Sequence, residues 1–305
     1  MNAEGRLGNN ICQYMSLAVI RKVFGVRAAI TEHMNSQLGS IFPKLSLPVE
    51  NHKCFPGHAA QDTFIQLYKK LAAKTPSRSR AMFDLQLQHY PLMESVYVSD
   101  YPCPAHLLLP LRDQFRHEFA FSEKVLKTAR IALDDAVKRV YTDSSAVITI
   151  ITVHIRRTDY LKHVKNFYKE YPVDMIYFHE AFNFFRNRTD FPVFVVTSDD
   201  PQWCKTNLID HDVVYAGTDP VVDLALQSLG DHHIITDGTF GFIGAFLGRG
   251  IIVYPYPNGW PLYPCFNSSI LQPITRNNAT FVTPHVSVLV HSVTLYMLLQ
   301  QVQCC

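Results

Sequence analysis

After residue 145 the chain alternates regularly between strand-like and helix-like segments, and this alternation limits the possible folds more than any other feature. Short runs rich in β-branched and aromatic residues predict strands. The predicted strands occupy residues 146–153, 191–197, 212–215, 233–236 and 251–254. Helices are predicted at about 174–187, around Trp203 and Cys204, at 219–229 and from 238 onwards. Because parallel βαβ units produce this pattern, the second half is predicted to be a Rossmann-like domain.

The first half is predicted to form a separate α/β domain, with the boundary near residues 142–145. Apolar residues at helical spacing predict helices at about 11–25, 60–73, 106–119 and 122–141. The predicted organisation is an N-terminal domain over 1–143, a nucleotide-binding domain over 144–285 and a C-terminal tail over 286–305.

Composition and charge argue against several classes of protein. The chain is 48% hydrophobic and 18% charged, which is the balance of an ordinary globular protein. Its net charge of +2 is too small to indicate nucleic acid binding. None of the seven cysteines forms a CxxC pair, and the 14 histidines form no compact ligand cluster, which argues against a zinc site. An odd number of cysteines fits either a reducing compartment or a secretory protein with some disulfides.

Two further features bear on the compartment. N-glycosylation sequons begin at Asn187, Asn267 and Asn278 and favour the secretory pathway. No signal peptide or N-terminal membrane anchor is visible, because Met1 is followed at once by polar residues. The apolar stretch 286–299 is short for a membrane span, so it is predicted to be a final helix or strand. If the protein works in the secretory pathway, its anchor is missing from this sequence.

Two adjacent arginines, Arg156 and Arg157, follow the first predicted strand of the second half. In an open α/β sheet, ligands bind at the carboxyl ends of the strands. Guanidinium groups can grip a diphosphate through paired hydrogen bonds. The pair therefore predicts a nucleotide-diphosphate site, with His154 and Asp159 nearby. The alternative is that both arginines simply face solvent.

Two glycine-containing loops, 5–10 and 238–241, each open a predicted helix. Backbone N–H groups at a helix start can hold phosphate, but each segment could equally be a simple turn. The loops 154–159, 197–200 and 236–241 follow three predicted parallel strands. Because such strands end at one edge of a sheet, these loops are expected to line one crevice.

Three aspartates could contribute to this crevice in more than one way. Asp199 and Asp200 could form a metal pair, accept hydrogen bonds from sugar hydroxyls or cap a helix, and the cap is favoured. Asp223 could accept hydrogen bonds from a nucleotide base or cap its own helix. The sequence contains no GxSxG elbow and no Walker lysine. The residues alone therefore indicate a two-domain α/β protein that binds a nucleotide diphosphate.

Several motifs occur in the same order and at similar spacing in the galactoside α1,2-fucosyltransferases, which the chain resembles. They lie at residues 5–9, 154–160, 195–204, 212–217 and 238–241, with further similarity at 38–47 and 101–103. Together they cover roughly residues 5–260, nearly the whole catalytic domain of that family. The HxRRxD element is shared more loosely with α1,6- and protein O-fucosyltransferases.

The resemblance implies a GT-B-type fold of two Rossmann-like domains, with the nucleotide-sugar site mainly in the C-terminal one and the acceptor on the N-terminal side. The donor would be GDP-β-L-fucose. The acceptor would be the 2-hydroxyl of a terminal β-galactose on a glycan. Transfer would invert the anomeric carbon and would need no metal or other cofactor. The resemblance further implies a Golgi location, with membrane attachment only through an anchor absent from this sequence.

Individual roles also follow from the resemblance. Arg157 would hold the β-phosphate as GDP leaves, and Arg156 would support it. His154 and Asp223 would meet the guanine edge. The remaining donor-binding residues would contact phosphate or fucose and are Arg6, Asn9, Gly238, Thr239, Phe240 and Gly241.

Asp159 has two interpretations under this resemblance. It could be the base that takes the acceptor's proton, or it could orient the arginines by ion pairing, which is favoured. The chain departs from the family pattern at Asn10, Asp237 and Phe242. The rival interpretations are a fucosyltransferase with another linkage or a protein acceptor, and a non-catalytic relative that binds a GDP-sugar or a glycan.

Overall fold

A computed structural model describes residues 6–50, 60–74, 96–98, 102–142, 146–168, 172–256 and 271–275. The predicted sequons at Asn267 and Asn278 and the predicted tail over 286–305 lie outside the described residues. The division into three segments at 143 and 285 stays a prediction.

The second half of the chain contains a six-stranded parallel sheet, so the prediction of a Rossmann-like parallel sheet there is confirmed. Its strands are β5 (Thr149–Ile155), β6 (Pro192–Ser198), β7 (Val213–Tyr215), β8 (His232–Ile235), β9 (Ile252–Tyr256) and β10 (Leu271–Thr275). Their order across the sheet is β10-β9-β8-β5-β6-β7. The register pairs Val153 with Val196 and Ile234, so β5 lies at the centre of the sheet.

Two strand predictions need correction. The strand expected at 146–153 is β5, which begins at Thr149 and continues to Ile155. His154 is therefore inside the strand and not in the loop after it. No strand was predicted after residue 254, yet β10 pairs with β9 at one edge of the sheet. Pro273 lies in β10, and proline is tolerated in a strand mainly at a sheet edge, so its presence concealed this strand.

Helices cover both faces of the sheet, as βαβ connections require. On one face α8 (Met175–Arg186) packs against Phe194 and Val196. On the other face α6 (Glu123–Val140), α10 (Pro220–Ser228) and α11 (Thr239–Leu247) pack against Val193 and Val195. These four residues of β6 alternate between the two cores because successive side chains of a strand point to opposite faces. The remaining elements of this half are α7 (Tyr160–His163), a π-helical turn (Val164–Tyr168) and α9 (Pro201–Asn207).

The described part of the first half is mainly helical and has two short pairs of parallel strands. The strands are β1 (Ile30–Thr31) with β2 (Val49–Glu50), and β3 (Ala60–Asp62) with β4 (Val96–Val98). The helices are α1 (Leu7–Phe24), α2 (Glu32–Leu38), α3 (Phe64–Lys74), α4 (Ala105–Leu108), α5 (Arg112–Glu118) and α6 (Glu123–Val140). The single helix expected at 106–119 is wrong, because a 3-10 turn containing Pro110 separates α4 from α5.

The first glycine segment is not the loop that was predicted. Leu7 already begins α1, so Gly8, Asn9 and Asn10 form its first turn. The expected end of this helix is confirmed, because Gly25 follows Phe24 with φ 64°, the left-handed conformation that terminates many helices.

One of the two hydrophobic cores contains residues from both halves of the chain. Tyr14 of α1, Phe115 of α5 and Phe246 of α11 belong to the same buried cluster. A disulfide between Cys12 and Cys103 ties α1 to the segment before α4. In the described residues, no helix has both the length and the apolar character needed to cross a membrane.

Candidate active site at the carboxyl edge of the sheet

The three loops that were expected to line one crevice do meet at the carboxyl edge of the sheet. They follow β8, β5 and β6, which are neighbours in the sheet order. The Arg156 N–H donates to Thr236 Oγ1 at 2.8 Å, and the Arg157 N–H donates to Asp199 Oδ1 at 2.8 Å. The backbone of the arginine pair is therefore hydrogen-bonded to the loops on both sides of it.

Arg156 lies among carboxylates and hydroxyls. Its guanidinium ion-pairs with Asp159 and Asp199 and donates to Thr158 Oγ1 at 3.2 Å. Only 12% of its side chain is exposed. Burial, and then the nearby positive charge of Arg6, lower the pKa of Arg156. The side chain is held in place and does not simply face solvent.

Arg157 is held by an aromatic ring. Its guanidinium carbon lies 3.8 Å from the centre of the Trp203 ring, a close cation–π contact. Its Nε lies 3.3 Å from Asp200 Oδ2, and 17% of the side chain is exposed. One face of the guanidinium is covered by indole, so its N–H groups can be presented edge-on to an anion.

Asp159 connects Arg156 to the N-terminal half of the chain. Its other carboxylate oxygen lies 2.9 Å from Arg6. Partial burial raises the pKa of Asp159, but the charges of Arg156 and Arg6 outweigh it and leave the pKa below its usual value. A carboxylate held as an anion by two arginines is a weak proton acceptor, so the geometry favours the orienting role over the role of base.

Asp199 and Asp200 have separate tasks. Asp200 accepts a hydrogen bond from the Trp203 N–H at 3.1 Å and so caps α9, which confirms the favoured interpretation. Asp199 contacts Thr158 and both residues of the arginine pair instead. Both carboxylates are engaged with arginine.

The first turn of α1 packs directly on the start of α11. A Cβ atom added to Gly8 would lie 2.7 Å from Phe240 N, so only glycine permits this approach. Thr239 Oγ1 donates to Asn9 Oδ1 at 2.6 Å. Because the Asn9 oxygen is engaged, a ligand can be bound through its NH2 group. The start of α1, with Arg6 and Asn9, therefore meets the start of α11, with Thr239, across 230 positions of sequence.

Gly238 comes just before α11 and has φ 109°, a conformation that side chains rarely adopt. The turn that follows carries Thr239, Phe240 and Gly241, all of which were predicted site residues. No side chain caps the start of α11, so its first N–H groups can serve an anion.

His154 is buried beside this turn. It is 6% exposed, and its ring lies 4.8 Å from that of Phe240. Burial and then the charge of Arg156 lower the pKa of His154 to about 3, so the ring is neutral. Its Nδ1 has no hydrogen-bond partner in the described structure. A Cβ atom on Gly241 would lie 2.8 Å from this nitrogen, so Gly241 makes room for the ring.

Asp223 lies in the first turn of α10, on the same edge of the sheet. The alternative that it caps α10 is wrong, because Asp219 caps this helix through the N–H groups of Val221 and Val222. Asp223 instead accepts from the Thr218 N–H at 2.8 Å. Burial raises its pKa to about 6.

Three contact residues were not assigned by the sequence. Trp203, Thr158 and Thr236 all hold the arginine pair in place. Thr236 occurs at the end of a predicted strand and Thr158 lies between the arginines and Asp159. Their positions in the sequence therefore indicated that both could lie in the crevice. Nothing in the sequence indicated that Trp203 stacks on Arg157.

Asn187, the only predicted sequon residue inside the described structure, is exposed at the end of α8. Its glycosylation stays a prediction. The roles of the predicted donor-binding and catalytic residues likewise stay predictions, although most of them now share one crevice.

Comparison with known proteins identifies close relatives. The model of glycosyl transferase family 11 matches residues 1–264. Galactoside 2-alpha-L-fucosyltransferase SEC1 of Bos taurus is 32% identical over 83% of this chain and 65% of its own length. Galactoside alpha-(1,2)-fucosyltransferase 1 of Homo sapiens is 32% identical over 82% of this chain and 66% of its own length. The chain thus spans slightly less than two thirds of these relatives.

One solved structure has a limited similarity. It is the crystal structure of POFUT1 in complex with GDP, with a TM-score of 0.35 and 13% identity over 66% of this chain and 61% of that chain.

Proposed function

We propose that this chain, which belongs to glycosyl transferase family 11, moves L-fucose from GDP-β-L-fucose to the 2-hydroxyl of a terminal β-galactose. The product would be an α1,2 linkage formed with inversion. Relatives that are 32% identical are named as galactoside α1,2-fucosyltransferases, and the chain spans about two thirds of their length. The observation that carries the proposal is the arginine pair, buried and bound to carboxylates at the carboxyl edge of a parallel sheet.

The arginine pair suits the departure of a diphosphate. As the fucose–oxygen bond breaks, negative charge grows on the β-phosphate, and a guanidinium placed in advance stabilises it. Arg157, held by Trp203, would bind this phosphate, and Arg156 would support it. We expect the two guanidinium groups to supply the charge that a divalent cation supplies in other transferases, so that no metal is required.

The rest of the donor would be held by both halves of the chain. Asp223 can accept from the N–H groups of a guanine edge, and neutral His154, buried beside the turn 238–241, would border the same edge. The N–H groups that start α11 face the anionic part. Asn9 and Arg6 would close over the pyrophosphate or the fucose from α1.

The acceptor's proton needs little help from the protein in this mechanism. Asp159 is held as an anion by Arg156 and Arg6, so we assign it the orienting role. A dissociative transition state, in which the sugar carries positive charge before the new bond forms, acidifies the attacking hydroxyl by itself. The departing GDP could then receive the proton.

We also propose a GT-B-type arrangement, with the acceptor bound on the N-terminal side, and a Golgi location. The Cys12–Cys103 disulfide and the exposed sequon at Asn187 support an oxidising compartment.

The proposal is tested by incubating the protein with GDP-fucose and a terminal β-galactoside in EDTA, with the product linkage read by NMR. Fucose α-linked at O2 is the expected product. Fucose attached at another position would show that the proposed α1,2 linkage is wrong. Binding of GDP without any transfer would show that the protein binds a nucleotide but is not an enzyme. Loss of transfer in EDTA that added metal restores would contradict metal independence.

A further inference from the structure

The end of α11 that lies away from the crevice is capped by two arginines of α5. Arg112 donates from Nε to Phe246 O at 2.8 Å and from Nη2 to Ala245 O at 3.0 Å and Gly248 O at 2.9 Å. Arg116 Nε donates to Leu247 O at 3.1 Å. The last carbonyls of a helix lack partners inside it, and here a different part of the chain supplies them.

This contact is built into the protein interior. Phe115 lies between the two arginines in α5, and its ring centre is 6.2 Å from that of Phe246. Burial, and then the charge of Arg116, lower the pKa of Arg112 to about 10, so Arg112 remains a cation at neutral pH. A cation at the carboxyl end of a helix also interacts favourably with the helix dipole.

The other end of α11 is held by the same half of the chain. Gly8 packs on Phe240, and Asn9 accepts from Thr239. The nine residues of α11 form a rod about 13 Å long, at 1.5 Å per residue. A change in where one end is anchored therefore moves the other end.

We propose that Arg112 is a positioning residue for the donor: by binding three carbonyls at the end of α11, it sets where the turn 238–240 presents its N–H groups to the diphosphate. This inference rests on the proposed function, because it assumes that this turn meets the donor. Arg112 touches neither Arg156 nor Arg157 and acts only through α11. No feature of the sequence distinguished it from a surface arginine.

The test compares two matched substitutions, Arg112→Lys and Arg186→Lys. Each keeps a positive charge but removes a fork that binds several oxygens at once. Arg186 is the control because it binds Asp210 and Asp212, which precede β7. β7 is an outermost strand of the sheet, whereas α11 connects β8 to β9. The measurements are KM for GDP-fucose, kcat and thermal unfolding.

For Arg112→Lys we expect KM for the donor to rise about fivefold, with a smaller change in kcat, because one anchor of α11 is loosened. Arg186→Lys should lower the unfolding temperature and leave the donor KM within about twofold. An unchanged donor KM in Arg112→Lys would overturn the proposal. An equal rise in both variants would also overturn it, since the effect would then reflect lost stability alone.

A readout that does not need catalysis separates this inference from the proposed function. Amide hydrogen exchange of residues 238–242 should be faster in Arg112→Lys than in the wild type and unchanged in Arg186→Lys. If that holds but the wild type neither binds GDP nor transfers fucose, the coupling through α11 stands and the proposed function fails. Equal exchange in all three proteins, with transfer intact, would overturn the coupling alone.

Discussion

Arg156 and Arg157 are neighbours in the sequence, but their surroundings separate their roles. Arg156 is bound by two aspartates and a threonine, so most of its hydrogen-bonding capacity is used inside the protein. Arg157 has one long contact to Asp200 and a stacked indole. A stacked guanidinium keeps its in-plane N–H groups for a ligand. This physical difference supports the proposal that Arg157 binds the phosphate and that Arg156 holds the loop in place.

Replacing Arg157 by alanine should abolish detectable transfer, with a loss of at least about 100-fold in kcat, because the leaving diphosphate loses its charge partner. Arg157→Lys should recover little of this activity, since a point charge cannot reproduce a planar fork. Steady-state kinetics with GDP-fucose measure both. Arg188→Ala is the matched control, because Arg188 also stacks at 3.8 Å on an aromatic ring, that of Phe184. Wild-type activity in Arg157→Ala would refute the assignment.

Asp223 predicts a pH dependence of GDP binding. Burial raises its pKa to about 6, so the carboxylate predominates above pH 6 and is protonated below it. Since only the carboxylate accepts from both N–H groups of guanine, GDP affinity should fall as the pH drops through about 6. Asp223→Asn should remove this dependence.

Calorimetric titration of both proteins with GDP, from pH 7.5 to about pH 5, measures the effect. The phosphate of GDP titrates in the same range, so the ratio of the two affinities at each pH isolates Asp223. A ratio that does not change with pH would refute the role of Asp223.

At the scale of elements, the position of α1 explains why a glycine stands in the first turn of a helix. Glycine costs a helix interior about 1 kcal/mol relative to alanine. Gly8 is nevertheless required, because any side chain would meet the backbone of Phe240. The close approach brings Asn9 within reach of Thr239, so the cost in helix stability is offset by the assembly of the site.

Gly8→Ala should therefore weaken donor binding even though alanine favours the helix. We expect a loss of about 1–3 kcal/mol in folding stability from overpacking, together with a higher KM for GDP-fucose. Chemical denaturation and kinetics measure the two effects. Arg21→Ala, at an exposed position of the same helix, is the control: it should leave KM unchanged and cost no more than its single exposed hydrogen bond to Ser46 O. A Gly8→Ala protein that is more stable and fully active would show that α1 does not pack on α11.

Proline accounts for two elements that the sequence misassigned. Pro110 interrupts the helical pattern at 106–119, and Pro273 hides an edge strand. Both segments contain the apolar residues of a regular helix or strand, so the sequence did indicate their hydrophobic character. The break and the edge position depend on which backbone N–H groups need a partner, and that is known only when the neighbouring strands are placed.

Across the whole molecule, the proposed donor site is assembled from both halves of the chain. α1 and α5 hold the two ends of α11, and the Cys12–Cys103 disulfide fixes α1 to the segment before α4. The disulfide closes a loop of 91 residues, which restricts the unfolded chain strongly.

Removing this disulfide by the double substitution Cys12→Ala and Cys103→Ala should lower the free energy of unfolding by about 2–4 kcal/mol. Denaturation with urea measures the change. Dithiothreitol should destabilise the wild type by about this amount more than it destabilises the double variant. If the reductant destabilises both proteins equally, the two cysteines are not paired.

The sequence alone predicts the parallel sheet, the helix cap at Asp200 and the gathering of three loops around the arginine pair. Periodicity is a property of neighbouring residues, and the rule that parallel strands end at one edge depends only on the order of the elements. Both can therefore be applied without knowing the packing. Four contacts could be read only from the folded protein: Gly8 with Phe240, Asn9 with Thr239, Trp203 with Arg157, and Arg112 with the end of α11. Each of these contacts joins distant or differently oriented elements, and no local pattern records a distance of 2.6 Å between residues 230 positions apart.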